Sequence, residues 1–174
     1  MMTPFSALSL NRWPWFALIA SALLLAAAHA FETFGHLAPC TLCLRQREAH
    51  WAVLTIAAVG IGISFTPLAN LCYRWICLAL AVAFAYSTYL GAFHTGVEFH
   101  WWPGPTTCAS TTATNTVTAE AMARMLGGGR IRAPACDVAV WYFAGLSMAA
   151  WNGLISVGLM AASILSAWRG RAQQ

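Results

Sequence analysis

Four stretches of the chain, at about 13–31, 49–66, 75–93 and 143–168, contain no Arg, Lys, Asp or Glu. Each approaches the roughly 20 apolar residues that a helix rising about 1.5 Å per residue needs to cross the hydrocarbon of a bilayer. A charge at mid-bilayer costs on the order of 3 kcal/mol on insertion scales, so four uninterrupted windows in one chain are a strong constraint. Charged residues make up only 8% of the 174, against roughly 25% in soluble domains. Trp13, Trp15, Trp75, Trp101, Trp102, Trp141 and Trp168 fall near window ends, where an aromatic belt sits. The expectation is an all-α, integral membrane four-helix bundle forming a single domain over 1–174.

The first window has a rival reading. Arg12, the apolar run after it and Ala28-His29-Ala30 have the three parts of a cleavable signal peptide. Removing that segment would leave the sidedness of the other three helices unchanged.

Four spans place both termini on one side, with two loops opposite, at about 32–48 and 94–142. The terminus side carries Arg12, Arg74, Arg169 and Arg171, and the loop side Arg45, Arg47, Arg124, Arg130 and Arg132. Per residue the terminus side is denser in Arg, which places both termini in the cytoplasm. All nine basic residues are Arg and they are scattered, so the net charge of +4 describes loops and not a nucleic-acid surface.

Cysteine placement agrees. Cys40, Cys43, Cys108 and Cys136 fall in the two loops opposite the termini, where an oxidising periplasm lets disulfides persist. Cys72 and Cys77 lie at the other end of the third span and read as small apolar packing residues.

The sharpest local feature is Pro39-Cys40-Thr41-Leu42-Cys43 followed by Leu44-Arg45-Gln46-Arg47, entering the second helix. A two-residue spacer allows a small, exchangeable disulfide, and a helix N-terminus lowers a thiol's pKa by offering unpaired N–H groups. Arg47 follows Cys43 by four residues, one helical turn, so its guanidinium shares that face and is placed to stabilise a thiolate or a polarised quinone carbonyl. The competing readings are half of a zinc site, which wants a second close pair that the widely separated Cys108 and Cys136 do not supply, and a passive structural disulfide. No metal is expected.

Between Cys108 and Cys136, Val117, Ala121, Met122 and Met125 share one helical face, Glu120 and Arg124 are four apart, and Gly127-Gly128-Gly129 would stop the helix. This predicts a short amphipathic helix lying on the membrane in the second periplasmic loop, which would let the two sulfurs travel. An ordinary disulfide closing a surface loop fits these residues equally well. Two cysteine pairs on one face of the membrane suggest a relay, because exchange requires a thiolate to reach the disulfide it attacks. The loop pair would meet a soluble partner and the membrane pair a lipid-soluble redox agent.

With these residues in hand the chain resembles the DsbB family of bacterial inner-membrane disulfide bond formation proteins. The carriers are Cys40-Thr41-Leu42-Cys43 with Arg47, His94-Thr95 ahead of Cys108, the late pair Cys108 and Cys136, and Trp141-Tyr142-Phe143-Ala144-Gly145-Leu146-Ser147-Met148. The resemblance covers about 13–168. It implies a quinone-dependent thiol oxidase with bound ubiquinone or menaquinone, serving a periplasmic thioredoxin-fold partner of the DsbA type. In that case Cys43 would face the quinone with Cys40 as its disulfide partner. Cys108 would form the mixed disulfide with the partner, and Cys136 would link the loop pair to Cys40. Arg47 would be the quinone-site arginine, and His94 a histidine linked to the same site.

Two other readings compete. A vitamin K epoxide reductase-like or electron-exporting thiol oxidoreductase would carry its helix-side CxxC late in the chain, whereas here it is early. A non-enzymatic tetraspan protein with two structural disulfides would leave quinone unchanged.

Overall fold

The computed structural model describes residues 12–37, 39–105, 108 and 135–171. The expected amphipathic helix at Val117 to Met125 lies outside the described residues. Within them the chain forms four helices: α1, Trp13–Thr33; α2, Thr41–Ser64; α3, Ala69–Glu98; and α4, Met148–Arg171. A minimal hairpin, β1 at Tyr142–Phe143 and β2 at Leu146–Ser147, precedes α4.

Three helices are long and apolar enough to cross a membrane: Trp13–Thr33, Ala69–Glu98 and α4 over Met148–Gly170. The remaining helix, α2, has 24 residues but opens with Arg45, Arg47 and Glu48, and its uncharged part begins only at Ala49. The helices exceed the uncharged windows because polar first and last turns remain helical in an interfacial layer, where water or neighbouring side chains satisfy the end groups. For α3 this carries the helix past His94 to Glu98.

The hairpin explains why the last helix begins at Met148 and not at Phe143. Ala144 and Gly145 both adopt positive φ, at 50° and 79°, the left-handed pair that a two-residue hairpin turn demands. The Ser147 hydroxyl then accepts the Ala150 N–H at 3.2 Å, supplying the N-cap that lets α4 start.

Core packing draws on every helix. Ala17 of α1, Val53 and Ala57 of α2, and Leu80, Ala83 and Phe84 of α3 form one buried cluster, with Leu159 and Met160 of α4 against it. The surface is the reverse of a soluble protein's. Phe16, Ile19, Leu23, Val59, Val82, Leu154 and Leu165 point outward, while Ser21, His50, Ser87, Ser156 and Ser163 are buried. Apolar side chains facing out and polar ones bonded to each other inside is the arrangement that lipid as solvent favours. At the far end of the bundle Cys77 is fully buried with Tyr73 and Ala167, in keeping with a packing role.

Helices α3 and α4 come to backbone contact at Gly91 and Gly153. A Cβ added at Gly91 would stand 2.7 Å from the Gly153 Cα and 2.8 Å from its nitrogen, a backbone contact that cannot yield by rotating a side chain. Small residues at such crossings let membrane helices pack at backbone distance. Gly91→Ala is therefore expected to destabilise the detergent-solubilised protein by about 1–3 kcal/mol through overpacking. Gly158→Ala, where an added Cβ meets nothing within 4 Å, should be neutral or slightly stabilising. Thermal unfolding of the two variants checks this, and equal behaviour would remove the crossing from the account.

Candidate redox-active site

The site is built on the first turn of α2. Pro39 precedes Cys40, whose extended backbone makes it the N-cap, and the Cys40 Sγ accepts the Cys43 N–H at 3.3 Å. A sulfur thus does what a Ser or Asp oxygen does at most helix starts. Capping brings the two sulfurs to 3.0 Å, with both cysteines unbonded thiols.

The thiols are not equivalent. The Cys40 S–H donates to the Cys43 sulfur, and this bond is the main cause that lowers the Cys43 pKa from 9.0 to about 7, helped by the backbone at Cys40 and the Arg47 charge against the opposing effect of burial. The same hydrogen bond, together with burial, drives Cys40 the other way, far above the ordinary thiol range. Of the two thiols Cys43 therefore ionises first, about half of it near neutrality, while Cys40 keeps its proton, which makes Cys43 the nucleophilic sulfur.

His94 arrives from α3. Its Nε2 lies 3.7 Å from the Cys40 Sγ and 3.8 Å from Glu98 Oε1, and its Nδ1 is 3.3 Å from the Gln46 side-chain nitrogen. An amide N–H donating to Nδ1 leaves the ring proton on Nε2, directed at the sulfur and the carboxylate. The backbone of Cys136 is also within hydrogen-bond reach of the ring. Cys40, Cys43 and His94 offer ligand atoms all within 4.8 Å of one another, a soft donor set that suits a thiophilic divalent ion such as zinc.

The second couple packs directly on the first. Cys108 and Cys136 are joined in a disulfide, and the Thr41 hydroxyl lies 3.1 Å from the Cys108 Sγ and 3.4 Å from the Cys136 Sγ. Cys40, Leu42, Val97 and Cys136 form one buried cluster with Cys43, Phe93 and Cys108 against it. The two loop sulfurs differ in access: Cys136 is 1% exposed while Cys108 is only part-buried.

Below the sulfurs opens a cavity of about 320 Å³. Leu25, Phe31, Trp141, Phe143 and Ile155 are among its apolar walls, and Cys43, Arg47, His94 and Asn152 are among the groups that reach it. Phe31 and Trp141 meet at 5.1 Å between ring centres, Trp141 stacks on Phe143 at 6.0 Å, and Phe143 touches Trp151 at 6.1 Å, so aromatic rings close one side. An apolar cavity with a few convergent polar groups is the usual form of a small-molecule site.

Five of the six residues singled out from sequence, Cys40, Cys43, Cys108, Cys136 and His94, are gathered here. Arg47 also lines the cavity, but its guanidinium is held by the Glu32 carboxylate and by the Ala28 carbonyl at 3.0 Å. The sequence offered no sign of that α1 tie, because Glu32 and Arg47 come together only across the turn between two helices. Gln46 was also missed, although it sits three residues after Cys43 and so shares its face. Thr41 was missed because a hydroxyl inside a CxxC motif carries no pattern of its own.

In protein with the membrane pair reduced, alkylation of Cys43 should rise with pH through a midpoint near 7, two units below the ordinary thiol value of 9.0. Cys40→Ala removes the donated hydrogen bond and is expected to move that midpoint upward, with Arg47→Met moving it in the same direction. Peptide-resolved mass spectrometry against pH reads the outcome, and a midpoint near 9 in the parent protein would contradict the polarised couple.

The family model described as "Disulfide bond formation protein DsbB" matches residues 11–166. Among curated proteins, the chain is similar to Disulfide bond formation protein B of Photorhabdus laumondii, at 29% identity over 170 residues, covering 96% of this chain and 93% of that one. It is 28% identical over 158 residues to Disulfide bond formation protein B of Pasteurella multocida, covering 87% and 82% of the two chains. The corresponding protein of Dechloromonas aromatica is 29% identical over 161 residues, with coverage of 87% and 89%. No solved structure matches. The family model's match over residues 11–166 shows that this chain belongs to the DsbB family, and the relatives, aligned over 82–93% of their own lengths, agree.

Proposed function

We propose that the protein is a thiol:quinone oxidoreductase of the bacterial inner membrane, with all four helices spanning the bilayer and both termini cytoplasmic. It reoxidises a periplasmic thioredoxin-fold dithiol oxidase of the DsbA type and passes the electrons to ubiquinone or menaquinone, sustaining protein disulfide formation. The observation that carries this reading is the packing of both cysteine couples into one cluster at the mouth of an apolar cavity, with the polarised Cys43 sulfur among its lining groups.

Access supports an order of exchange. A partner thiolate attacks the reachable sulfur, Cys108, and Cys136 leaves with the electron pair of the broken bond. The partner's second thiol closes its own disulfide and frees Cys108. Cys136, buried beside Cys40, then attacks the Cys40–Cys43 disulfide, and Cys43 leaves as the thiolate that the Cys40 hydrogen bond and Arg47 favour. Cys108 closes on Cys136. Two electrons and two protons have then moved from the partner to the membrane pair, which gives the joined Cys108–Cys136 and unbonded Cys40 and Cys43 of the structure.

The cavity fits a quinone headgroup on its own terms: apolar aromatic walls for the ring, and Arg47, His94 and Asn152 for its oxygens. When bound, a quinone supplies an acceptor for two electrons and two protons. The chain's contribution is to hold the ring against the Cys43 sulfur, keep the thiolate unprotonated and exclude water.

Purified protein in detergent, given quinone and a reduced thioredoxin-like dithiol, should bleach quinone absorbance, and Cys43→Ser should abolish the reaction. Retained turnover in that variant would remove the membrane pair from the mechanism. Arg47→Met is expected to raise the apparent KM for quinone more than that for the dithiol. A reduced partner whose second cysteine is replaced by alanine should be trapped on Cys108, whereas a partner trapped on Cys40 would reverse the relay.

A further inference from the structure

The cavity continues past Cys43 and Arg47 to a knot of polar side chains contributed by every helix. His50 of α2 has Nδ1 3.2 Å from the Ser21 hydroxyl of α1 and Nε2 2.8 Å from the Asn152 Oδ1 of α4. The Asn152 Nδ2 donates to the Ser87 Oγ of α3 at 3.4 Å, and Ser87 meets the Ser156 Oγ at 2.9 Å. Ser21, Ser87 and Ser156 are fully buried and His50 nearly so. Polar side chains inside a membrane bundle are costly, and by default they mark a functional site.

The hydrogen bonds have a direction. Asn152 Oδ1 is an acceptor, so Nε2 of His50 carries the ring proton and Nδ1 accepts from Ser21. With its oxygen fixed by His50, the Asn152 carboxamide has its nitrogen turned the other way. Ser87 takes one of the two amide hydrogens. His50 and Asn152 both line the cavity, whereas Ser87 and Ser156 stand behind them.

Along α2, Cys43, Arg47 and His50 fall at i, i+4 and i+7, a single helical stripe, and all three line the cavity. At about 1.5 Å per residue the stripe is about 10 Å long, so polar groups occupy both the mouth and the floor of an otherwise apolar slot. Resting on the quinone reading above, we propose that the Asn152 carboxamide, oriented by His50, is a second hydrogen-bond donor to the headgroup. It would engage the carbonyl of a 1,4-quinone opposite the one at Arg47. Asn152 is then a binding residue and His50 a positioning residue.

The bland alternative is a structural lock between helices. Trp13 and Ser163 supply a control, since Trp13 Nε1 donates to the Ser163 Oγ at 3.1 Å between α1 and α4 away from the cavity. The experiment titrates a short-chain ubiquinone into the detergent-solubilised full chain, reading affinity by tryptophan quenching and each carbonyl by isotope-edited infrared spectroscopy. In the parent protein both carbonyl bands are expected to lie below their positions in detergent alone. Asn152→Leu should weaken binding roughly fivefold to tenfold, the worth of about one hydrogen bond, and return one band to the free position. Arg47→Met should release the other band, and Ser163→Ala should leave affinity and both bands in place.

A single shifted band in the parent protein would overturn the proposal, and that result needs no variant to fold. Affinity unchanged in Asn152→Leu, or lost equally in Ser163→Ala, would also overturn it. If the parent protein bound no quinone, the proposed function would fall and this inference with it.

Discussion

The hydrogen bond that starts α2 is the constraint on which the rest of the structure turns. A helix N-terminus must satisfy its leading N–H groups, and here a cysteine sulfur does so. Because Cys40 caps the helix, Cys43 sits in the first turn at hydrogen-bond distance from it, and the thiol proton is drawn onto one sulfur of the two. The same placement puts Thr41 outward against the Cys108–Cys136 bond and Gln46, Arg47 and His50 inward along the cavity. Secondary structure, thiol acidity and the meeting of two couples thus share one origin.

Much of this could be read from residue order, because membrane spans and cysteine spacing are local signals. Uncharged windows located the helices, and Cys40-Thr41-Leu42-Cys43 located the site. The span limits were less accessible: Arg45, Arg47 and Glu48 break the hydropathy of α2 without breaking its helix, since interfacial charges find partners such as the exposed Arg45–Glu48 pair. The hairpin before α4 was hidden because Tyr142-Phe143 and Leu146-Ser147 continue an apolar run, and only Ala144 and Gly145 with positive φ reveal the turn. The Arg47–Glu32 tie and the meeting of Asn152 with His50 are long-range facts, set by which helix lies beside which.

The bundle's interior also shows why a cavity can persist there. Gly91 and Gly153 draw α3 and α4 to backbone contact, while the α1 side is held through the guanidinium of Arg47. Between them, space lined by Leu25, Phe31 and Ile155 stays open because the aromatic face from Phe31 through Trp141 to Trp151 is braced. The Trp151 indole N–H donates to the Phe143 carbonyl at 3.0 Å.

The unequal exposure of the two loop sulfurs has a consequence for the surrounding water. Cys108 is part-buried, whereas Cys136 is 1% exposed and Cys40 5%, so a thiol arriving from solution meets Cys108 before either of them. A thiolate that opens the Cys108–Cys136 bond from outside has to do so at Cys108, which makes Cys136 the sulfur released inside the cluster with Cys40.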